Sequence, residues 1–120
     1  MSVITLFLFT SSAIAQHAFS DKKPEERAKE QMEWMKTELG LDTIQVEKVH
    51  NINLKYADKI DNLKNSNVDR RQKFQEFRSL SAKKDNELKE LLTKKQFKIY
   101  RKKKDEMRNN AKNKYQNNQF

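Results

Sequence analysis

LDTIQVEKVHNINLKYADKIDNL, residues Leu41–Leu63, decides the fold class. Its apolar side chains Val46, Val49, Ile52, Tyr56, Ile60 and Leu63 recur at spacings of three and four. That rhythm lines one face of a helix. Gly40 stands just ahead of the stretch, where the glycine that closes a preceding helix belongs. Asn65-Ser66-Asn67 follows it, a polar break without Gly or Pro that reads as a loop or a kink.

Working outward, the same rhythm continues on both sides. Upstream, Ala28, Met32, Met35 and Leu39 mark a first helix. Ser20 or Asp21 is its expected cap, with Pro24 near its first turn and Glu25 and Glu26 close to the positive end of its dipole. Downstream, Phe74, Phe77, Leu80, Leu88 and Leu91 predict a third helix from Asp69 to Leu91, interrupted on that face by Ser81 and Lys84. A fourth starts at Thr93 and carries Phe97, Tyr100, Met107, Ala111 and Tyr115, with Lys104 in the middle of the stripe. The Asn/Gln-rich end, Gln116 to Phe120, is expected to be a disordered tail.

One Gly and one Pro in 120 residues leave little room for a sheet with tight turns. From His17 onward only 20 of 104 residues are Leu, Ile, Val or Phe. That supply sits at the edge of what disordered chains carry, roughly 20%. Narrow stripes and few core residues predict an all-α protein. The expected shape is an elongated helical hairpin of about four helices, made sturdier by dimerisation.

Val3 to Ala15 holds no charge and is too short to cross a bilayer, which takes about 20 residues. Ala13-Ile14-Ala15 is a small-x-small site before the polar Gln16. The stretch reads as a secretory signal peptide over residues 1–15, leaving a helical domain over 16–115. Met1-Ser2 lacks the Lys or Arg of an n-region, which leaves open a start upstream of Met1. An uncleaved anchor or a buried helix is the alternative reading. No Cys is present, so the chain has no disulfide, thiolate zinc site, Cys nucleophile or lipid-modified Cys.

Charge separates strongly along the chain. Residues 94–120 carry ten Lys or Arg against Asp105 and Glu106, whereas residues 1–93 are nearly balanced, 16 basic to 15 acidic. Lys98, Arg101, Lys102, Lys103 and Arg108 are the candidates for capturing acidic partners, by an attraction that salt weakens. Met32, Trp34 and Met35 offer adaptable apolar surface for holding them, or else core. Phe97, Tyr100 and Tyr115 fall on the apolar face rather than on a stacking surface, so nucleic acid is disfavoured as a partner. Anionic membrane surfaces remain an alternative, as does a solvated face that serves solubility alone.

Catalytic groups are missing from the pattern. Ser79 and Ser81 have no His beside them, and one Gly cannot build a phosphate loop. Carboxylates have a Lys within a helical turn, as at Asp58/Lys59 and Glu87/Lys84, and read as surface pairs. His50 has no second strong ligand in its turn, and His17 is a weak candidate near the expected new N-terminus. No catalytic residue, metal or cofactor is expected, and the chain is not read as an enzyme.

Two short motifs remain. In Leu92-Thr93-Lys94-Lys95-Gln96, the Thr93 hydroxyl can accept from the Gln96 backbone while the Gln96 side chain reaches back to the Thr93 N–H. Leu92 can staple onto Phe97. Leu41-Asp42-Thr43-Ile44-Gln45 repeats the arrangement with Asp42 as cap and Leu41 and Val46 as staple. Paired boxes in a small, basic, exported helical chain resemble the LTxxQ-motif family of small periplasmic stress proteins, the Spy/CpxP-like group. The second box matches in full, and the first departs at Asp42. The resemblance spans Lys22 to Lys114. It implies a thin, curved hairpin that dimerises into a cradle. It also implies an ATP-independent chaperone or envelope-stress adaptor that binds unfolded or partner polypeptides, or the regulation of an envelope sensor. Some relatives in that family respond to metals.

Overall fold

The computed structural model describes residues 22–118. It has four helices, α1 (Pro24–Leu39), α2 (Thr43–Lys64), α3 (Arg70–Leu91) and α4 (Lys94–Asn117), and no strand among the described residues. The protein is all-α. The expected signal peptide and His17 lie outside the described residues. So do the last two residues of the expected tail, and α4 remains helical two residues into that tail, to Asn117.

Each helix boundary has a local cause. Lys23, not Ser20 or Asp21, caps α1, and it does so without a side-chain cap bond. The two expected caps lie outside the described residues. Pro24 takes the first helical position, and its ring drives the residue before it into extended backbone. Lys23 accordingly has φ −62° and ψ 149°. Gly40 ends α1 at φ 63° and ψ 49°, a left-handed conformation that a side chain would strain. The break at Asn65 is a true loop. The Ser66 hydroxyl donates to the Leu63 carbonyl at 2.6 Å, and Asp69 opens α3 by accepting from the Gln72 N–H at 2.8 Å. Between α3 and α4 only Leu92 and Thr93 intervene.

Short connections make neighbours antiparallel. α2 is the middle helix, with α1 on one side and α3 on the other, while α4 meets α1 and α3 more sparingly. The molecule measures 59 × 45 × 25 Å, so its thinnest dimension is about two helix diameters. The core gathers at the end where both tight turns lie. It holds Met35, Leu39, Leu41, Val49, Leu88, Leu92 and Tyr100, with Val46 and Phe97 against it. Both expected staples thus fall in one cluster. Asn53 is also fully buried, its amide pointing at the Met35 sulfur at 3.9 Å. Among the described residues, no helix is long and apolar enough to cross a membrane.

Two expected core residues are exposed. Phe74 is 59% exposed and Tyr115 68%. Both sit where a helix outruns its neighbours. In the first turn of α1, Arg27 donates to the Ala57 carbonyl and approaches Asp61, so the end of α2 and the start of α3 extend past it. Beyond Lys104, no hydrogen bond or ion pair ties α4 to another described helix.

Candidate functional site

The two capping boxes face each other. In each, the cap side chain accepts from the backbone N–H three residues on, Asp42 from Gln45 at 2.8 Å and Thr93 from Gln96 at 3.1 Å. Each glutamine oxygen then accepts from its own cap N–H, at 3.1 Å for Gln45 and 3.0 Å for Gln96. The remaining amide groups meet across the gap. Gln45 Nε2 donates to Gln96 Oε1 at 2.8 Å, and Gln96 Nε2 donates to Gln45 Oε1 at 3.1 Å. Gln96 Nε2 also reaches the Leu39 carbonyl at 3.3 Å, at the end of α1. A reciprocal amide pair therefore joins the starts of α2 and α4 and satisfies groups that helix ends leave open.

A second device fixes α4. Asp85, 6% exposed, sits on the face of α3 turned to α4. Its Oδ1 accepts from the Tyr100 hydroxyl at 2.7 Å, and its Oδ2 accepts from Lys104 Nζ at 2.7 Å and Arg101 Nη1 at 3.2 Å. Lys104 also donates to the Ser81 hydroxyl at 2.9 Å. The polar interruptions at Ser81 and Lys104 are thus two halves of one network. Lys84, the third interruption, turns the other way and donates to Gln31 of α1 at 2.6 Å. The expected Glu87/Lys84 pair is replaced, because Glu87 faces α2 and takes Lys55.

Burial shifts protonation in both directions. Burial pushes Lys84 down to about 8 from 10.5, helped by repulsion from Lys104 and Arg27 and opposed by Asp85. Burial, then Asp85, raises Tyr100, and burial, then Glu87, raises Tyr56 to about 12 from 10.0. A lysine depressed in the fold binds its proton more readily when unfolded. Its burial therefore costs the fold nothing above 10.5 and costs progressively more as pH drops towards 8. A raised tyrosine acts oppositely, and its contribution is lost as pH climbs through 10 towards 12. The urea midpoint should accordingly rise from pH 8 to about 10 and fall beyond it. Lys84→Met should abolish the rising limb only. A midpoint that falls steadily from pH 8 upward in the wild type contradicts this assignment.

The residues expected to capture and hold a partner divide in the structure. At about 3.6 residues per turn, Lys94, Lys98, Lys102 and Lys112 share the face of α4 opposite Tyr100. Lys98, Lys102 and Arg108 are exposed and form no ion pair among the described residues. Arg101 is half exposed but tied to Asp85, and Lys103 pairs within its own helix with Glu106 at 3.9 Å. Met35 is 2% exposed and belongs to the core, because it lies on the α1 stripe that meets Val49 and Leu88. Met32 and Trp34 are half-buried against that core and present only their edges. Exposed apolar surface lies instead at Ile44, Phe74 and Tyr115. Among the described residues, no group of three or more His, Cys, Asp or Glu could hold a metal.

Asp85 and Ile44 escaped the sequence reading. Asp85 stands in Lys83-Lys84-Asp85-Asn86-Glu87, which looks like surface. The usable signal was register: Asp85 lies three residues before Leu88 and four after Ser81, so an acid occupies the apolar stripe.

A family model described as a domain of unknown function, DUF4890, matches residues 15–100. No curated protein and no solved structure matches.

Proposed function

The chain belongs to the DUF4890 family, and from that premise we propose that it binds unfolded or partner polypeptides without ATP, as an exported chaperone or envelope-stress adaptor. The observation that carries this reading is the basic face of α4 at Lys98 and Lys102, exposed and without an ion pair among the described residues, with Arg108 exposed further along the helix. It stands on a helix joined to the body by the polar contacts of Gln96, Tyr100, Arg101 and Lys104 and by the packing of Phe97, Ile99 and Tyr100 in the core. Such a face collects acidic chains at long range, and exposed apolar groups such as Ile44 and the edges of Met32 and Trp34 hold them. The likeness to the LTxxQ-motif family rests on the letters of the two Leu-x-x-x-Gln boxes. The family match opens at residue 15, where the apolar run ends. Most of the basic face lies beyond residue 100, so family membership alone does not account for it.

An aggregation assay tests the proposal. Up to equimolar protein should suppress aggregation of a chemically denatured acidic polypeptide, and suppression should fade at high salt. Unchanged aggregation, combined with tight salt-sensitive binding of single-stranded RNA, would mean that the basic face serves nucleic acid. Export and pairing belong to the same proposal. Protein recovered from outside the cytoplasm should begin at Gln16 by intact mass and sediment as a dimer. A cytoplasmic product retaining Met1, or a single-chain sedimentation mass, counts against that part.

A further inference from the structure

We propose that the α2–α3 end of the molecule is a second binding surface, which docks on the headgroups of an anionic phospholipid bilayer. The basic face of α4 plays no part in it. Val68, Arg70, Arg71, Lys73 and Phe74 line one shallow hollow at this end. Phe74 projects from it, 59% exposed, with the Arg78 guanidinium 5.8 Å from its ring centre.

The charges here are left over by the fold. Arg70 and Arg71 are exposed and form no ion pair among the described residues. The two nearby acids are occupied within α3, Asp69 capping it through the Gln72 N–H and Glu76 accepting from the Gln72 side chain at 3.0 Å. Lys73 is half-buried and donates to the Lys64 carbonyl at 2.8 Å. The chain's near-neutral balance over residues 1–93 conceals this site. α1 carries Glu25, Glu26, Glu30, Glu33 and Glu38, which offset the α3 cations in the count, and of these Glu33 and Glu38 lie towards the opposite end, where α1 closes at Gly40.

Shape selects the partner. The patch is the blunt end of a hairpin that runs past α1, opposite the end where the two boxes meet. A flat surface can reach such an end, whereas an extended polypeptide is better held along a groove. Guanidinium groups pair with phosphate oxygens in a fork geometry, and an aromatic ring rests at the headgroup level. One ring and a few cations give reversible, peripheral attachment, the regime in which apolar contact and charge must act together.

The test uses the full chain and vesicles of phosphatidylcholine with or without phosphatidylglycerol. The apolar run Val3–Ala15 contributes equally to every variant, so the readout is placed at the hairpin end. With Phe74→Trp in a Trp34→Phe background, emission should shift to the blue on the anionic vesicles only. In the native background, Arg70→Gln with Arg71→Gln should weaken flotation with anionic vesicles roughly thirtyfold, at about a fivefold loss per cation. Phe74→Ala should weaken it several-fold, with helicity unchanged. The proposal is overturned if the tryptophan at 74 stays in water, or if the arginine variants float like the wild type. It is equally overturned if these variants lose acidic polypeptide while keeping vesicles, since the hairpin end is then a client surface.

Discussion

Replacing Asp85 by alanine should destabilise the protein by about 3 kcal/mol and release α4 from α3 beyond its first turn. One carboxylate serves three donors, so its removal strands them together. Tyr100 is the costly one, since its hydroxyl is buried and has no other partner among the described residues. Arg101, half exposed, can return to water, and this keeps the figure at the lower end of the range for broken buried pairs. Asp85→Asn keeps an acceptor for Tyr100 and removes the charge facing the two cations, so it should cost less. Urea unfolding followed by circular dichroism gives the size, and amide exchange along α4 gives the location. An alanine variant within about 0.5 kcal/mol of the wild type, the range of an ordinary surface substitution, would show that the network holds nothing.

The second large effect is expected at the amide pair. Gln96→Ala removes the reach-back bond to Thr93, both bonds to Gln45 and the bond to the Leu39 carbonyl. The loss should be about 2 kcal/mol, more than a lone cap residue usually costs. Gln45→Ala should cost less, because it leaves the Leu39 contact intact. In the double variant the losses should fall short of additive by about 1 kcal/mol, the signature of side chains that touch. Strict additivity would mean that the boxes act as two independent caps.

Much of the fold was legible because it is written locally. The stripe from Val46 to Leu63, Gly40 in its left-handed position, and the boxes at Asp42 and Thr93 each depend on residues within a turn or two. What the sequence hid depends on which helix lies beside which. Ser81 and Lys104 looked like flaws in two separate stripes, and only their meeting at Asp85 gives them a purpose. Phe74 and Tyr115 kept the helical rhythm and still lie in water, because rhythm says which face a residue takes and not whether a neighbour covers it. Met35 shows the converse, since a side chain suited to a promiscuous surface was taken by the core. At the candidate site the basic run was plain in the letters. The division into exposed cations without an ion pair among the described residues, at Lys98, Lys102 and Arg108, and engaged ones, at Arg101 and Lys103, depends on which acids the fold sets beside them.

That division makes polypeptide capture by the exposed cations of α4 directly measurable. Lys98→Glu, Lys102→Glu and Arg108→Glu together leave Asp85, Tyr100 and both boxes untouched. The quantity to measure is the association rate of a denatured acidic polypeptide with wild type and triple variant, at low and high salt. Charge steering predicts association slowed roughly tenfold or more at low salt, dissociation little changed, and rates that converge at high salt. Equal association rates with the same salt dependence, in a variant of unchanged helicity, would contradict capture by this face.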